Sequence, residues 1–179
     1  NVIDLTNADQ AELSFFHKYN LKRGANGGVL MIGVSSSPTG PFEFEYIQPD
    51  QPYTGNTLIT AWEDLLDDKG NPIRWCWNGL SGGGTLDWDY VTVNLSKYSG
   101  DYIKIRFQYL YLFGGTGFGW FIDDLKLTIT SMTEGDAKFE TTDNWFLIDE
   151  EDAKNYDIGG NSHAWSGSHS WYYGDPIYN

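Results

Sequence analysis

The stretch that decides the fold is WDYVTVNLSKYSGDYIKIRFQYLYLFGGTGFGWFIDDLKLTITS, residues 88–131. Tyr90-Val91-Thr92-Val93-Asn94-Leu95 alternates with period two and puts Val91, Val93 and Leu95 on one face. Ile103, Ile105, Phe107 and Tyr109 alternate with Lys104, Arg106 and Gln108, the pattern of a half-buried antiparallel strand. Gly114-Gly115-Thr116-Gly117 supplies the positive φ values of a tight turn. The chain then returns through Phe118 to Ile129. On that return Phe121, Leu125, Leu127 and Ile129 share one parity, and Asp123 shares it with them. An ionised carboxylate on a core face is costly unless it is paired, hydrogen-bonded or on a metal. Asp123 is therefore expected to need a buried partner, and Asp124, of opposite parity, is not.

Composition fits the same picture. The chain has 179 residues, long enough to bury roughly 70% of its unfolded surface without a staple. With 21 Gly, 8 Trp, 12 Tyr and 10 Phe, it favours an all-β sandwich over helical layers. A formal net charge of −14 argues against nucleic acid, whose phosphates need a Lys/Arg surface. It also disfavours anionic membranes and suits calcium or basic ligands, or simply solubility. The single Cys76 excludes an internal disulfide and reads as a small buried hydrophobe. No run of about 18 apolar residues predicts membrane insertion. Lacking a signal peptide and an initiator Met, the chain is expected to be a segment of a longer parent.

Taken in order, the rest of the chain continues the strand pattern. Ala11, Leu13 and Phe15 alternate inward, and His17 continues that face at the expected strand end as a hydrogen-bonded edge residue. Val29 to Ser35 is nearly continuously apolar, which predicts a central strand covered on both sides. Residues 35–41 are a turn by composition, and Phe42 to Ile47 alternates again. Residues 48–87 are broken by prolines and glycines. Asp64, Asp67, Asp68 and Asn71 lie around Gly70 without EF-hand spacing, leaving at most a loose surface calcium site. Trp62, Trp75, Trp77 and Tyr53 are the candidate ligand-binding aromatics: exposed they would form a sugar-stacking platform, and buried they would cap the sandwich.

The motifs Val93-Asn94-Leu95-Ser96-Lys97-Tyr98-Ser99-Gly100 and Gly119-Trp120-Phe121-Ile122-Asp123-Asp124 carry a resemblance. The stretch is similar to the C-terminal half of jelly-roll modules on secreted peptidases and adhesins: the module of immune-inhibitor-A-type metallopeptidases, cleaved-adhesin domains and, more distantly, MAM domains. Phe139-Glu140, Trp145 and the run from His163 to Gly174 resemble the beginning of the same module. The resemblance implies that the N-terminal third of the pattern stands at the C-terminus. Residues 1–131 would be the main body, 132–136 a linker, and 137–179 strands completing a single sandwich by circular permutation. A strand-exchanged dimer or the start of a next tandem repeat is the rival arrangement.

In such modules, and in related carbohydrate-binding modules, a structural cation joins the opening and closing strands. Carried over, this points to calcium held by Asp123, Asp124 and Glu140, hard oxygen ligands for a hard cation. The rival expectation is that Asp123 accepts backbone N–H bonds or pairs with a base. The acid run at residues 149–152 is a second, weaker candidate. Catalytic residues are expected to be none. His17, His163 and His169 form no zinc-protease signature, and Ser168 beside His169 would point to the opposite strand face. The resemblance implies a non-catalytic accessory or adhesion module of a secreted or cell-surface protein such as a peptidase. Its partner would be a protein or glycan at the cell surface. Alternatives are a carbohydrate-binding module and a self-associating surface-layer or tandem-repeat domain.

Overall fold

A computed structural model describes residues 1–56, 65–111 and 117–131 in full, and the backbone of 132–133, 136–141, 154–156 and 170–173. The strands are β1 (Ile3–Asp4), β2 (Gln10–Leu21), β3 (Asn26–Ser35), β4 (Glu43–Tyr46), β5 (Gly55–Asn56), β6 (Trp75–Cys76), β7 (Gly79–Leu80), β8 (Asp89–Asn94), β9 (Tyr102–Tyr111), β10 (Gly119–Thr133), β11 (Asp136–Thr141), β12 (Lys154–Tyr156) and β13 (Ser170–Tyr173). Two antiparallel sheets pack face to face as a β-sandwich. The smaller sheet has the order β1-β9-β3-β4. The larger runs β12-β13-β10-β2, with β8 and β7 on the far side of β2 and β11 beside the end of β10.

The core between the sheets is what the alternation dictates. Ala11, Leu13 and Phe15 from β2, Leu30 and Ile32 from β3, Val91 and Val93 from β8, and Ile103 from β9 are all buried in one cluster. Val29 and Met31 point the other way, into a second cluster with Phe44, Ile73, Cys76 and Leu110. β3 is thus covered on both faces, as its unbroken apolar run predicts. Cys76 is fully buried there, and burial pushes its thiol up to about 12.

The motif turn from Val93 to Gly100 carries the chain from the larger sheet to the smaller. Leu95 N–H donates to the Ala11 carbonyl, the Ser96 hydroxyl accepts from Ala11 N–H, and Gly100, at φ 97°, donates to the Leu5 carbonyl. The Tyr98 hydroxyl donates to Glu45, which also takes Lys69 at 2.5 Å and Lys97 at 2.8 Å. One turn, anchored by buried Leu95 and Tyr98, therefore ties β4, β8 and β9 together.

Of the residues 132–136 expected as a linker, 132 and 133 end β10 and Asp136 begins β11, registered from Thr133↔Asp136 onward. The turn glycines Gly114 and Gly115 lie outside the described residues, as do Trp62, the acid run 149–152, His163 and His169.

Candidate functional site

Side chains directly opposite one another in an antiparallel pair share a face. On β2, Ala11, Leu13, Phe15 and Tyr19 enter the core, so Ser14, Phe16 and Lys18 point outward. Phe16 lies opposite Tyr90 on β8 and Asp123 on β10. These three form one row across the outer face of the larger sheet. Tyr90 is 48% exposed, and its ring sits 4.9 Å from that of Phe16. In the next row Lys18 lies opposite Phe121, itself opposite Tyr172 on β13. An outward face of an antiparallel sheet ordinarily alternates to polar residues. Here it carries aromatic ones around a carboxylate.

The position of Asp123 corrects the parity expectation. Between Asp123 and Lys126, β10 has Asp124 and Leu125 where β2 has only Phe15. That is a β-bulge, and it reverses the alternation beyond it. Before the bulge Trp120 and Ile122 face the core; after it Leu125, Leu127 and Ile129 do. Asp123 therefore leaves the core face and joins Phe121 on the other face of the sheet, where both side chains are buried. Asp124 adopts φ 49°, a left-handed conformation that Asp tolerates better than most residues. Asp123 is only 8% exposed, and its Oδ1 accepts the Asp124 N–H at 2.8 Å. The expectation of a backbone N–H partner is met; Asp124 itself is exposed.

Glu140 is placed on β11 opposite Ile129, six residues along β10 from Asp123. At strand rise, less one residue for the bulge, this is on the order of 17 Å. The register does not bring Glu140 beside the two aspartates. Among the described residues no group of three or more His, Cys, Asp or Glu is arranged to hold a metal ion. Around Gly70, Asp67 is filled by donors: Oδ1 accepts the N–H groups of Lys69 and Asn71, and Oδ2 accepts Tyr46 N–H and Asn71 Nδ2. Asp68 accepts Phe44 N–H at 2.8 Å. The two acids cap the open edge of β4, a structural task that uses the lone pairs a calcium ion would need.

The expected aromatic platform is divided. Trp77 and Tyr53 are buried, with ring centroids 4.6 Å apart, and cannot stack on a ligand. The Tyr53 hydroxyl donates to the Ile47 carbonyl and accepts from Leu30 N–H. Trp75 is 50% exposed, and Trp62 lies outside the described residues. The aromatic row missed in the sequence, Tyr90 with Phe16, had one signal: both residues occupy the polar parity of otherwise alternating strands.

His17 is not an edge residue. It sits mid-strand opposite Ile122, is 1% exposed, and is ringed by Phe15, Tyr19, Trp77 and Trp120. Trp120 Nε1 donates to its Nδ1 at 3.3 Å. Burial holds its pKa down at about 3, so the ring is neutral. No protein-family model matches the chain, and no curated protein matches it.

Proposed function

We propose that this chain is a non-catalytic accessory or adhesion module of a secreted or cell-surface protein, of the jelly-roll type carried by peptidases and adhesins. Strand order is the observation that carries the reading. Number the strands β13, β1, β2, β3, β4, β8, β9, β10 as one to eight. The sheets β13-β10-β2-β8 and β1-β9-β3-β4 then become 1-8-3-6 and 2-7-4-5, an order that supports the reading of two interlocked Greek keys as in a jelly roll. In this reading residues 137–179 supply the first strand to a body whose other seven precede them.

Within the same reading, the face bearing Tyr90 and Phe16 is the binding face, and calcium is assigned to the carboxylates of Asp123 and Asp124. The half-exposed Tyr90 ring also favours a glycan as the surface ligand, since a ring face takes sugar C–H groups. The test is titration of the full chain against a polysaccharide panel and against immobilised cell-surface proteins. Saturable binding to either, weakened at least about tenfold by Tyr90→Ala, supports the reading. No binding to either class would sink it. Calcium is checked separately: EDTA should lower the melting temperature, because a ligand held only by the native state adds stability.

A further inference from the structure

The outer face of the larger sheet is covered over one part and open over another. Phe121 and Asp123 on β10 are buried there, whereas Phe16 and Lys18 on β2 are half-buried and Tyr90 on β8 is exposed. The accessible strip therefore runs along β2 and β8, with the Tyr90 ring beside that of Phe16. Two lysines bracket those rings. Lys18 follows Phe16 by two residues on β2, so it shares the face about 7 Å further along. Lys126 is exposed on β10, opposite Ser14, which precedes Phe16 by two residues. At the far end of the row that holds Lys18 and Phe121, the register sets Lys154 of β12 opposite Tyr172 of β13.

The acids on the paired outward positions of β2, β8 and β10 do not neutralise these cations. Asp123 is buried and its Oδ1 accepts the Asp124 N–H. Glu12 lies one row beyond Lys126, opposite Asn94 and Thr128. Among the described residues the salt bridges involve neither Lys18 nor Lys126. In a chain of net charge −14, the strip beside its exposed tyrosine thus carries cations at both ends. An aromatic face takes the C–H side of a pyranose, and an ammonium group takes an anion carried on that pyranose. We propose that the ligand of this face is an anionic glycan, a pyranose polymer bearing carboxylate or sulfate groups. One sugar stacks on Tyr90 with its anionic group at Lys18, and the anionic group of a sugar further along the polymer meets Lys126. This rests on the reading of the face as a glycan site and adds the charge of the ligand.

The test titrates the full chain calorimetrically with four polymers: polygalacturonate, its methyl ester, dextran sulfate and dextran. Within each pair the sugar is kept and the charge removed. At least one charged polymer should bind about five- to tenfold more tightly than its neutral counterpart, and the gap should narrow as salt rises from about 50 to about 500 mM. Lys18→Gln combined with Lys126→Gln should close most of that gap, and Tyr90→Ala should weaken binding of the charged polymer as well. Neutral polymers binding as tightly as charged ones would overturn the anionic assignment and leave the glycan reading standing. A charge preference unaffected by the double lysine variant, or by Tyr90→Ala, also overturns it, because the polymer then sits elsewhere. Silence from all four overturns the proposal, whereas the glycan reading itself falls only if the wider polysaccharide panel is silent too.

Discussion

Lowering the pH from 7.5 to 5.0 should destabilise this protein chiefly through one side chain, His17. The ring is enclosed by four aromatic residues and accepts from Trp120, so protonation would strand a charge in an apolar box. Its pKa stands near 3 in the fold against 6.5 when unfolded. Because the folded value is the lower one, the unfolded chain gains a proton first as pH falls. Stability is complete above about 6.5 and declines until about 3. At pH 5 the unfolded state has been favoured over 1.5 units, about 2 kcal/mol. For a chain of this size that is a drop of roughly 4–8 °C in melting temperature. The assay is urea or thermal unfolding at both pH values for the parent and for His17→Gln, which keeps an acceptor for Trp120 but does not titrate. Comparing each protein with itself cancels any packing loss in the variant. The pH-dependent loss should largely vanish in His17→Gln. Equal loss in both proteins, or none in the parent, would refute the assignment of a buried neutral imidazole.

Further outcomes follow from other named contacts. Asp124→Val should cost about 1–2 kcal/mol by forcing a β-branched residue into the left-handed bulge, whereas Asp124→Gly should stay within about 1 kcal/mol of the parent; chemical denaturation compares them. Burial alone would raise the Glu45 carboxyl, but hydrogen bonds from Lys69, Lys97 and Tyr98 bring it down to about 2. Its contribution should therefore be present above about pH 4.5 and fade as pH falls toward 2. Glu45→Gln should cost about 1–3 kcal/mol in urea melts and remove part of that acid sensitivity. In Gly28→Ala the new methyl would lie 2.7 Å from the Trp120 ring, so a loss of about 1–3 kcal/mol is expected by thermal unfolding.

How far the fold was legible depends on how local its causes are. The alternation of Ile103, Ile105 and Phe107, the two-sided burial of Val29 to Ile32, and the turn at Ser96–Tyr98 follow from period and turn chemistry, and each is where the pattern puts it. The site was less legible. Asp123 and Leu127 share parity in sequence, but the bulge between them breaks the count, and a bulge is set by the mismatch of two strands rather than by either one. His17 was expected at the strand end, yet Tyr19 and Leu21 continue its parity and β2 runs on to Leu21, with Trp77 and Trp120 packed against the imidazole. Tyr53 and Trp77 read as possible platform residues because composition cannot say which face of an irregular segment is covered.

By itself, then, the sequence determined that this chain is an acidic, antiparallel β protein and which residues face the core along the unbulged strands β2, β3, β8 and β9. Those are properties of neighbours two apart, and side-chain geometry enforces them locally. Tertiary structure alone decided which way Asp123 faces, that His17 is sealed and neutral, and that Glu140 sits far along β10. Each of these depends on the register between strands distant in the chain. Register is settled by the packing of whole sheets, a quantity no single strand encodes.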